Sequence, residues 1–80
     1  MNTYKNLSGQ SGVAGYEIGP DFINVEFKEP SHSGFKNYKY TYESTGEANV
    51  EKMKQLAEAG QGLQTFIDTL EIRKSYKTKW

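Results

Sequence analysis

The sequence predicts an α+β fold, with a three-stranded antiparallel β-meander followed by two short helices packed on one face of the sheet. In the first half of the chain, apolar and polar residues alternate with period two, and breaks rich in Gly, Pro, Ser and Asp separate the alternating stretches. The second half changes to the longer period of helices. Consecutive strands with short connections most simply pair with their chain neighbours.

The first two strands are predicted on either side of a tight turn. AGYEI, at residues 14–18, has the short alternation of a strand and is followed by Gly-Pro-Asp at residues 19–21. Pro fixes φ and removes a backbone donor, while Gly and Asp favour turn geometry. FINVEFK, at residues 22–28, then places its apolar side chains on one face and its polar side chains on the other. The two segments therefore form a predicted hairpin.

The third strand carries three tyrosines that share one face, because Tyr38, Tyr40 and Tyr42 occupy alternate positions in FKNYKYTYES. Exposed aromatic stripes on sheets occur in RNA-binding domains, which is one interpretation. If the tyrosines pointed outward, however, Lys39 would lie in a small core without a partner, at a cost of roughly several kcal/mol. We therefore predict that the tyrosines face the helices and that Lys39 lies outside in water.

Two helices are predicted after this strand. Ser44 and Glu47 have the spacing of a capping box, and the first helix should end near Gly60 or Gly62. Apolar residues recur at helical spacing in both segments, namely Val50, Met53, Leu56 and Ala57, then Leu63, Phe66, Ile67 and Leu70. The aromatic residues predicted in the core are Tyr16, Phe27, Tyr38, Tyr40, Tyr42 and Phe66.

The 80 residues allow a single domain. We divide the chain into a flexible N-terminal lead-in (1–12), the α+β domain (13–76) and a basic-aromatic C-terminal tail (77–80). Without cysteine, neither a disulfide framework nor a thiolate metal site is expected. No apolar run has the length of a membrane span or the form of a signal peptide, so we expect a cytoplasmic protein without a membrane partner.

The sequence offers no chemistry for catalysis. His32 is the only histidine and lies between two serines, and we interpret it as an exposed loop residue because a catalytic pair also needs an acidic partner and an oxyanion hole. The glycines do not form a phosphate-binding loop, and the carboxylates show no metal-ligand spacing. We predict a protein that is not an enzyme and has no cofactor or metal.

Charge is balanced overall but uneven along the chain. Ten basic and ten acidic residues cancel, which excludes a strongly electropositive nucleic-acid binder. In the last ten residues, EIRKSYKTKW, cations interleave with two aromatic residues, so they could contact phosphates while the rings stack on bases. The alternative is a frayed, solubilising terminus whose Trp80 folds back. The candidate nucleic-acid-binding residues are Lys39, Arg73, Lys74, Tyr76, Lys77, Lys79 and Trp80.

A protein-interaction module is the competing hypothesis. The zero net charge and the unpaired edge of a three-stranded sheet fit a domain that docks on another protein. Such a domain could be a phage or mobile-element protein that binds a host protein, or one that associates with itself.

GYEIGPDFINVEFK, the central Tyr-x-Tyr, NVEKMKQLAEAGQG and LQTFIDTLEIRKSY together resemble the KTSC family, over roughly residues 11 to 76. This short domain is found at the carboxy-terminus of some lysyl-tRNA synthetases and as a free-standing bacterial or phage protein. The attachment of the family's domain to a synthetase implies RNA as a partner.

Overall fold

The sheet is antiparallel, and its strands follow one another in chain order. In the computed structural model, which describes residues 2–9, 11–30 and 34–80, the predicted α+β class is confirmed. Within the described residues, the sheet has five strands instead of the predicted three, and four short helices replace the predicted two. The strands are β1 (Asn2–Thr3), β2 (Val13–Ile18), β3 (Phe22–Phe27), β4 (Asn37–Thr41) and β5 (Thr78–Lys79), and the helices are α1 (Tyr42–Thr45), α2 (Glu47–Ala59), α3 (Leu63–Ile67) and α4 (Leu70–Arg73).

The register of β3 and β4 decides which way the tyrosines point. Ile23 lies opposite Tyr40, and Val25 lies opposite Tyr38, so these side chains share one sheet face. Tyr40 is 1% exposed, and the half-buried Tyr38 packs against the core. The polar reverse side of β4 explains this orientation, because burial of the rings leaves the charged neighbour outside the core.

Lys39 lies on the opposite face of the sheet, where it pairs with Asn24. We call this surface, which is opposite the face that carries the core, the open sheet face. The lysine side chain is half-buried and not simply solvated, because its Nζ lies 4.3 Å from the centroid of the Phe22 ring. Such a cation–π contact contributes about 0.5–1 kcal/mol at an exposed site.

The chain turns into helix earlier than the sequence predicted. Tyr42 is the first residue of α1 and not part of β4, because Thr41 acts as N-cap and accepts a hydrogen bond from the Ser44 backbone N–H at 3.0 Å. The Ser44 side chain in turn accepts a hydrogen bond from the Thr41 backbone N–H, so the capping box joins these two residues. The predicted box at Ser44 and Glu47 is wrong, since the N-cap of α2 is Gly46, which has no side-chain bond.

Gly60 ends α2, as predicted, in the left-handed conformation at φ 76°. The second predicted helix is divided into α3 and α4, because Thr69 between them is extended. The Thr69 hydroxyl donates to the carbonyl of Phe66 at 2.9 Å and so satisfies a carbonyl at the end of α3. The sequence periodicity continued across this break, which is why it predicted a single helix.

Both ends of the described chain join the sheet. β1 pairs with β2, and Tyr4 is 4% exposed, so the first residues of the expected lead-in are packed against the domain. β5 pairs with β4, and the backbone N–H of Trp80 donates to the carbonyl of Asn37 at 3.0 Å. The edge strands of the sheet are therefore two-residue segments, which leave a short edge for strand addition.

The core lies between one face of the sheet and the helices. Its buried apolar residues are Tyr4, Val13, Ile23, Val25, Tyr40, Val50, Met53, Ala57, Leu63, Ile67 and Ile72, and the half-buried aromatic rings packed against it are Tyr16, Phe27, Tyr38, Tyr42, Phe66 and Tyr76. None of the helices in the described residues has the length and apolarity to cross a membrane. His32 lies outside the described residues.

Candidate functional site

A groove lies on the helix side of the sheet, where β4 and the C-terminal segment meet α3 and α4. Its volume is about 430 Å³, within the range of about 300–1,000 Å³ that is typical of ligand pockets. We call it the aromatic groove. Its lining residues are Gly12, Phe27, Glu29, Phe35, Tyr38, Tyr40, Gln64, Ile67, Asp68, Arg73, Lys74 and Tyr76.

A row of rings forms one wall of the aromatic groove. Phe27 and Tyr38 pack edge to face with centroids 5.6 Å apart, and Tyr38 packs in the same way on Tyr76 at 5.2 Å. Edge-to-face pairs are worth about 0.5–1.5 kcal/mol beyond the area that they bury. The row therefore fixes these half-buried side chains while part of each ring surface faces the groove.

Charges of both signs surround the rings. The cations Arg73 and Lys74 come from the end of α4, whereas the carboxylates Glu29 and Asp68 come from the loops after β3 and α3. These side chains are exposed, and none of them forms an ion pair within 4.0 Å in the part of the chain that the structure describes. Their charges are therefore free to meet a ligand.

Lys79 adds a third positive charge at the edge of the groove. Its Nζ lies 4.9 Å from the centroid of the Phe35 ring and 5.2 Å from that of Tyr76. The Tyr76 hydroxyl beside the ammonium group raises the pKa of Lys79, because an acceptor oxygen favours the protonated form. Lys79 is thus held in its charged form against the aromatic wall.

Tyr40 lies at the base of the groove. Burial is the main factor that raises the pKa of its hydroxyl above the ordinary tyrosine value, since a phenolate loses its hydration there. Ionised Tyr38, ionised Tyr76 and the Asp68 carboxylate add to this effect by charge repulsion. The Tyr40 side chain is therefore a neutral phenol throughout the physiological pH range, and it can donate a hydrogen bond.

A hydrogen-bonded latch closes one end of the groove. The side-chain oxygen of Gln64, on α3, accepts hydrogen bonds from the Gly12 backbone N–H and, at 3.4 Å, from the Ser11 hydroxyl. Ser11 is itself held by Asn6, whose side-chain oxygen accepts the Ser11 N–H at 3.0 Å. A Cβ atom on Gly12 would lie 2.9 Å from the Gln64 oxygen, so a larger residue there would displace the end of the Gln64 side chain. The latch fixes the N-terminal segment relative to α3.

The structure divides the candidate nucleic-acid-binding residues between two surfaces. Arg73, Lys74 and Tyr76 line the aromatic groove, and Lys79 contacts two of its rings. Lys39 and Lys77 instead line a smaller depression of about 290 Å³ on the open sheet face, with Asp21, Phe22, Thr41 and Glu43. Trp80 lines neither of these two surfaces, and the residue is 51% exposed.

Sequence reasoning missed the acidic and aromatic partners of the groove. Phe35, Glu29 and Asp68 lie in loops without periodicity, and nothing in the sequence brings them together. The sequence pattern places Tyr38 and Tyr40 in the core and does not show that they also line a groove. The phenol hydroxyls are the feature of the sequence that could have indicated a groove, because a buried tyrosine oxygen needs water or a partner at the rim of the core.

A second charged cluster lies away from the groove, on α1 and α2. The Tyr42 hydroxyl donates to the Glu51 carboxylate, which also pairs with Lys54 at 2.8 Å. The Lys54 ammonium group, followed by the Tyr42 hydroxyl, lowers the pKa of Glu51. Because Lys54 also donates to the carbonyl of Pro20 at 3.4 Å, the cluster ties α2 to the turn between β2 and β3.

The described residues contain no group of three or more His, Asp or Glu side chains that could hold a metal ion. Comparison of the chain with protein-family models, with curated proteins and with solved structures finds no match. The resemblance to the KTSC family therefore stays a prediction, and the function must be argued from the geometry of the groove.

Proposed function

We propose that this domain is a non-enzymatic module that binds single-stranded nucleic acid, with RNA preferred, at the aromatic groove. A base enters the groove against the rings, and the neighbouring phosphates lie on Arg73, Lys74 and Lys79. The observation that carries the proposal is the placement of these three cations beside half-buried rings. Rings and cations at this spacing are the two components of single-strand recognition.

The balance of charges favours a contact with a few nucleotides over binding along an extended electropositive surface. The three cations face two carboxylates at the groove, and the whole chain carries no net charge. Affinity that depended on phosphates alone would be weak on such a surface. Base stacking supplies about 1–3 kcal/mol per base, so the ring wall must carry a large part of the affinity. The preference for RNA follows from the resemblance to a synthetase-associated domain.

Fluorescence anisotropy with a labelled single-stranded RNA octamer tests the proposal. We expect the triple variant Arg73→Ala, Lys74→Ala, Lys79→Ala to lose most of its affinity. The slope of log affinity against log salt should flatten by about 2, because three phosphate contacts at about 0.7 each are removed. Circular dichroism of each variant checks that the fold is retained.

A matched control is available on the open sheet face. Lys39→Ala, Lys77→Ala and Lys28→Ala remove the same charge from side chains that do not line the groove. This variant should bind almost as tightly as the original chain. A larger loss in the control than in the groove variant would place the contact on the open sheet face, and absence of binding by the original chain would refute the proposed function.

A further inference from the structure

The Tyr40 hydroxyl is a polar group at the aromatic groove. The residue is 1% exposed and lines the groove, yet its hydroxyl makes no hydrogen bond to any residue that the structure describes. Among the described residues, the buried side-chain atom that lacks a partner is Asn24 Oδ1, so the Tyr40 hydroxyl is open to solvent in the groove. A ligand in the groove can replace this solvent as the hydrogen-bond acceptor of the phenol.

The Asp68 carboxylate provides the complementary group. It lines the same groove and lies near enough to Tyr40 for its charge to bear on the phenol. It is exposed and has no ion-pair partner within 4.0 Å among residues 2–9, 11–30 and 34–80. An ionised carboxylate only accepts hydrogen bonds and repels phosphates, so RNA can offer it N–H groups from a base or the ribose 2′-hydroxyl, and only the base N–H groups differ between nucleotides.

Guanine is the base whose edge fits this pair of groups. It presents two adjacent donors, N1–H and the exocyclic N2 amino group, which the two oxygens of one carboxylate can accept together. Its O6 lies beside them and accepts a hydrogen bond from a phenol. Adenine and cytosine place a ring-nitrogen acceptor next to their amino group, which a carboxylate repels, and uracil offers one N–H.

We propose that the aromatic groove selects guanine, with Asp68 accepting hydrogen bonds from N1–H and N2–H and Tyr40 donating to O6. This inference rests on the proposed function, since it specifies the base that the same groove takes from a single strand. Asp68 and Tyr40 are then the specificity-determining residues, whereas the cations hold phosphates of any sequence.

Five labelled RNA pentamers test the selection. They consist of uridines with guanosine, inosine, adenosine, cytidine or uridine at the centre, and their affinities are measured by anisotropy at one salt concentration. We expect guanosine to bind at least about tenfold more tightly than adenosine or cytidine. Inosine should fall between them, because it keeps N1–H and O6 but lacks the exocyclic amino group.

The variant Asp68→Asn separates selection from binding in general. It should lose the guanosine preference and bind the all-uridine pentamer as tightly as before or more tightly, because a charge that repels phosphate is gone. Glu58→Gln, on the exposed side of α2, removes the same charge and should keep the preference. Equal affinity for all five pentamers would overturn the guanine assignment and leave the proposed function intact. Absence of binding to every pentamer would overturn both, and an Asp68→Asn variant that kept the preference would exclude Asp68 as its source.

Discussion

Replacing Tyr40 by phenylalanine removes one oxygen atom from a ring that is 1% exposed. The ring itself still fills its place between the sheet and the helices, so no cavity is created. The hydroxyl is open to the groove and is not among the buried side-chain atoms of the described residues that lack a partner. Because solvent reaches it, only a small part of the roughly 1–3 kcal/mol cost of burying an unbonded group applies. We therefore expect the free energy of unfolding of Tyr40→Phe to stay unchanged or to rise by up to about 1 kcal/mol.

Urea denaturation and thermal melting measure this change. In a domain of this size, about 1 kcal/mol corresponds to a rise in Tm of about 4–8 °C. The control is Tyr40→Ala, which removes the ring and should lower the free energy of unfolding by about 3–5 kcal/mol. In a domain this small, a loss of that size leaves most of the molecules unfolded. If Tyr40→Phe lowered the free energy of unfolding by more than about 1 kcal/mol, the hydroxyl would be bonded within the folded protein and could not serve a ligand.

The same variant changes the alkaline limb of the stability curve. The folded pKa of Tyr40 is raised above the unfolded value of about 10, so its contribution to the free energy of unfolding is fully present below about pH 10. Above that pH the free energy of unfolding falls, with a slope of up to about 1.4 kcal/mol per pH unit, because the unfolded chain ionises its tyrosine more easily. The raised pKa values of Tyr42, Lys54 and Lys79 also lower the stability at alkaline pH, so Tyr40→Phe keeps part of the dependence on pH. The difference between the original chain and Tyr40→Phe in free energy of unfolding against pH isolates the contribution of Tyr40. If the two curves were parallel, burial of Tyr40 as a neutral phenol would be contradicted.

Two further predictions concern the scaffold. Gly60 and Gly9 have similar positive φ angles, 76° and 75°, but a Cβ at Gly60 would lie 2.5 Å from Cβ of Lys5, whereas nothing lies within 4 Å at Gly9. Gly60→Ala should therefore lower the free energy of unfolding by at least about 1 kcal/mol more than Gly9→Ala, and equal losses in urea denaturation would show that backbone strain alone matters. The folded pKa of Glu51 is lowered chiefly by Lys54, so the stability it provides is present above its ordinary pKa of about 4.3 and is lost as the pH falls below it. Lys54→Met should reduce the loss of Tm between about pH 6 and about pH 3, and an unchanged loss would assign the acid dependence to other carboxylates.

Strong periodicity made the centre of the fold predictable. In β3 and β4 the alternation specifies which face is buried, because a shift by one residue would place Lys39 in the core. In α2 the spacing of Val50, Met53 and Ala57 predicts the buried side, and Gly60 marks the end. These elements satisfy local preference and tertiary packing together, so sequence alone sufficed for them.

The periphery could not be read in the same way. β1 and β5 have two residues each, too few to show a period, and they form only because β2 and β4 are present to pair with them. The aromatic groove is less predictable still, since Glu29, Asp68 and Tyr76 are brought together by the packing of α3 and α4 on the sheet. Contacts of this kind depend on the angle between elements, which no local pattern encodes.

The groove carries features that folding alone does not require. A phenylalanine at position 40 would fill the core equally well without placing a hydroxyl group at the groove. Arg73 and Asp68 line one groove with opposite charges, yet they form no ion pair within 4.0 Å in the described residues. A donor, an acceptor and a cation beside a wall of rings are therefore open to a ligand at one groove of the described residues. A ligand that bonds all three stabilises the folded state by mass action, so the Tm of the domain should rise when the correct base is added.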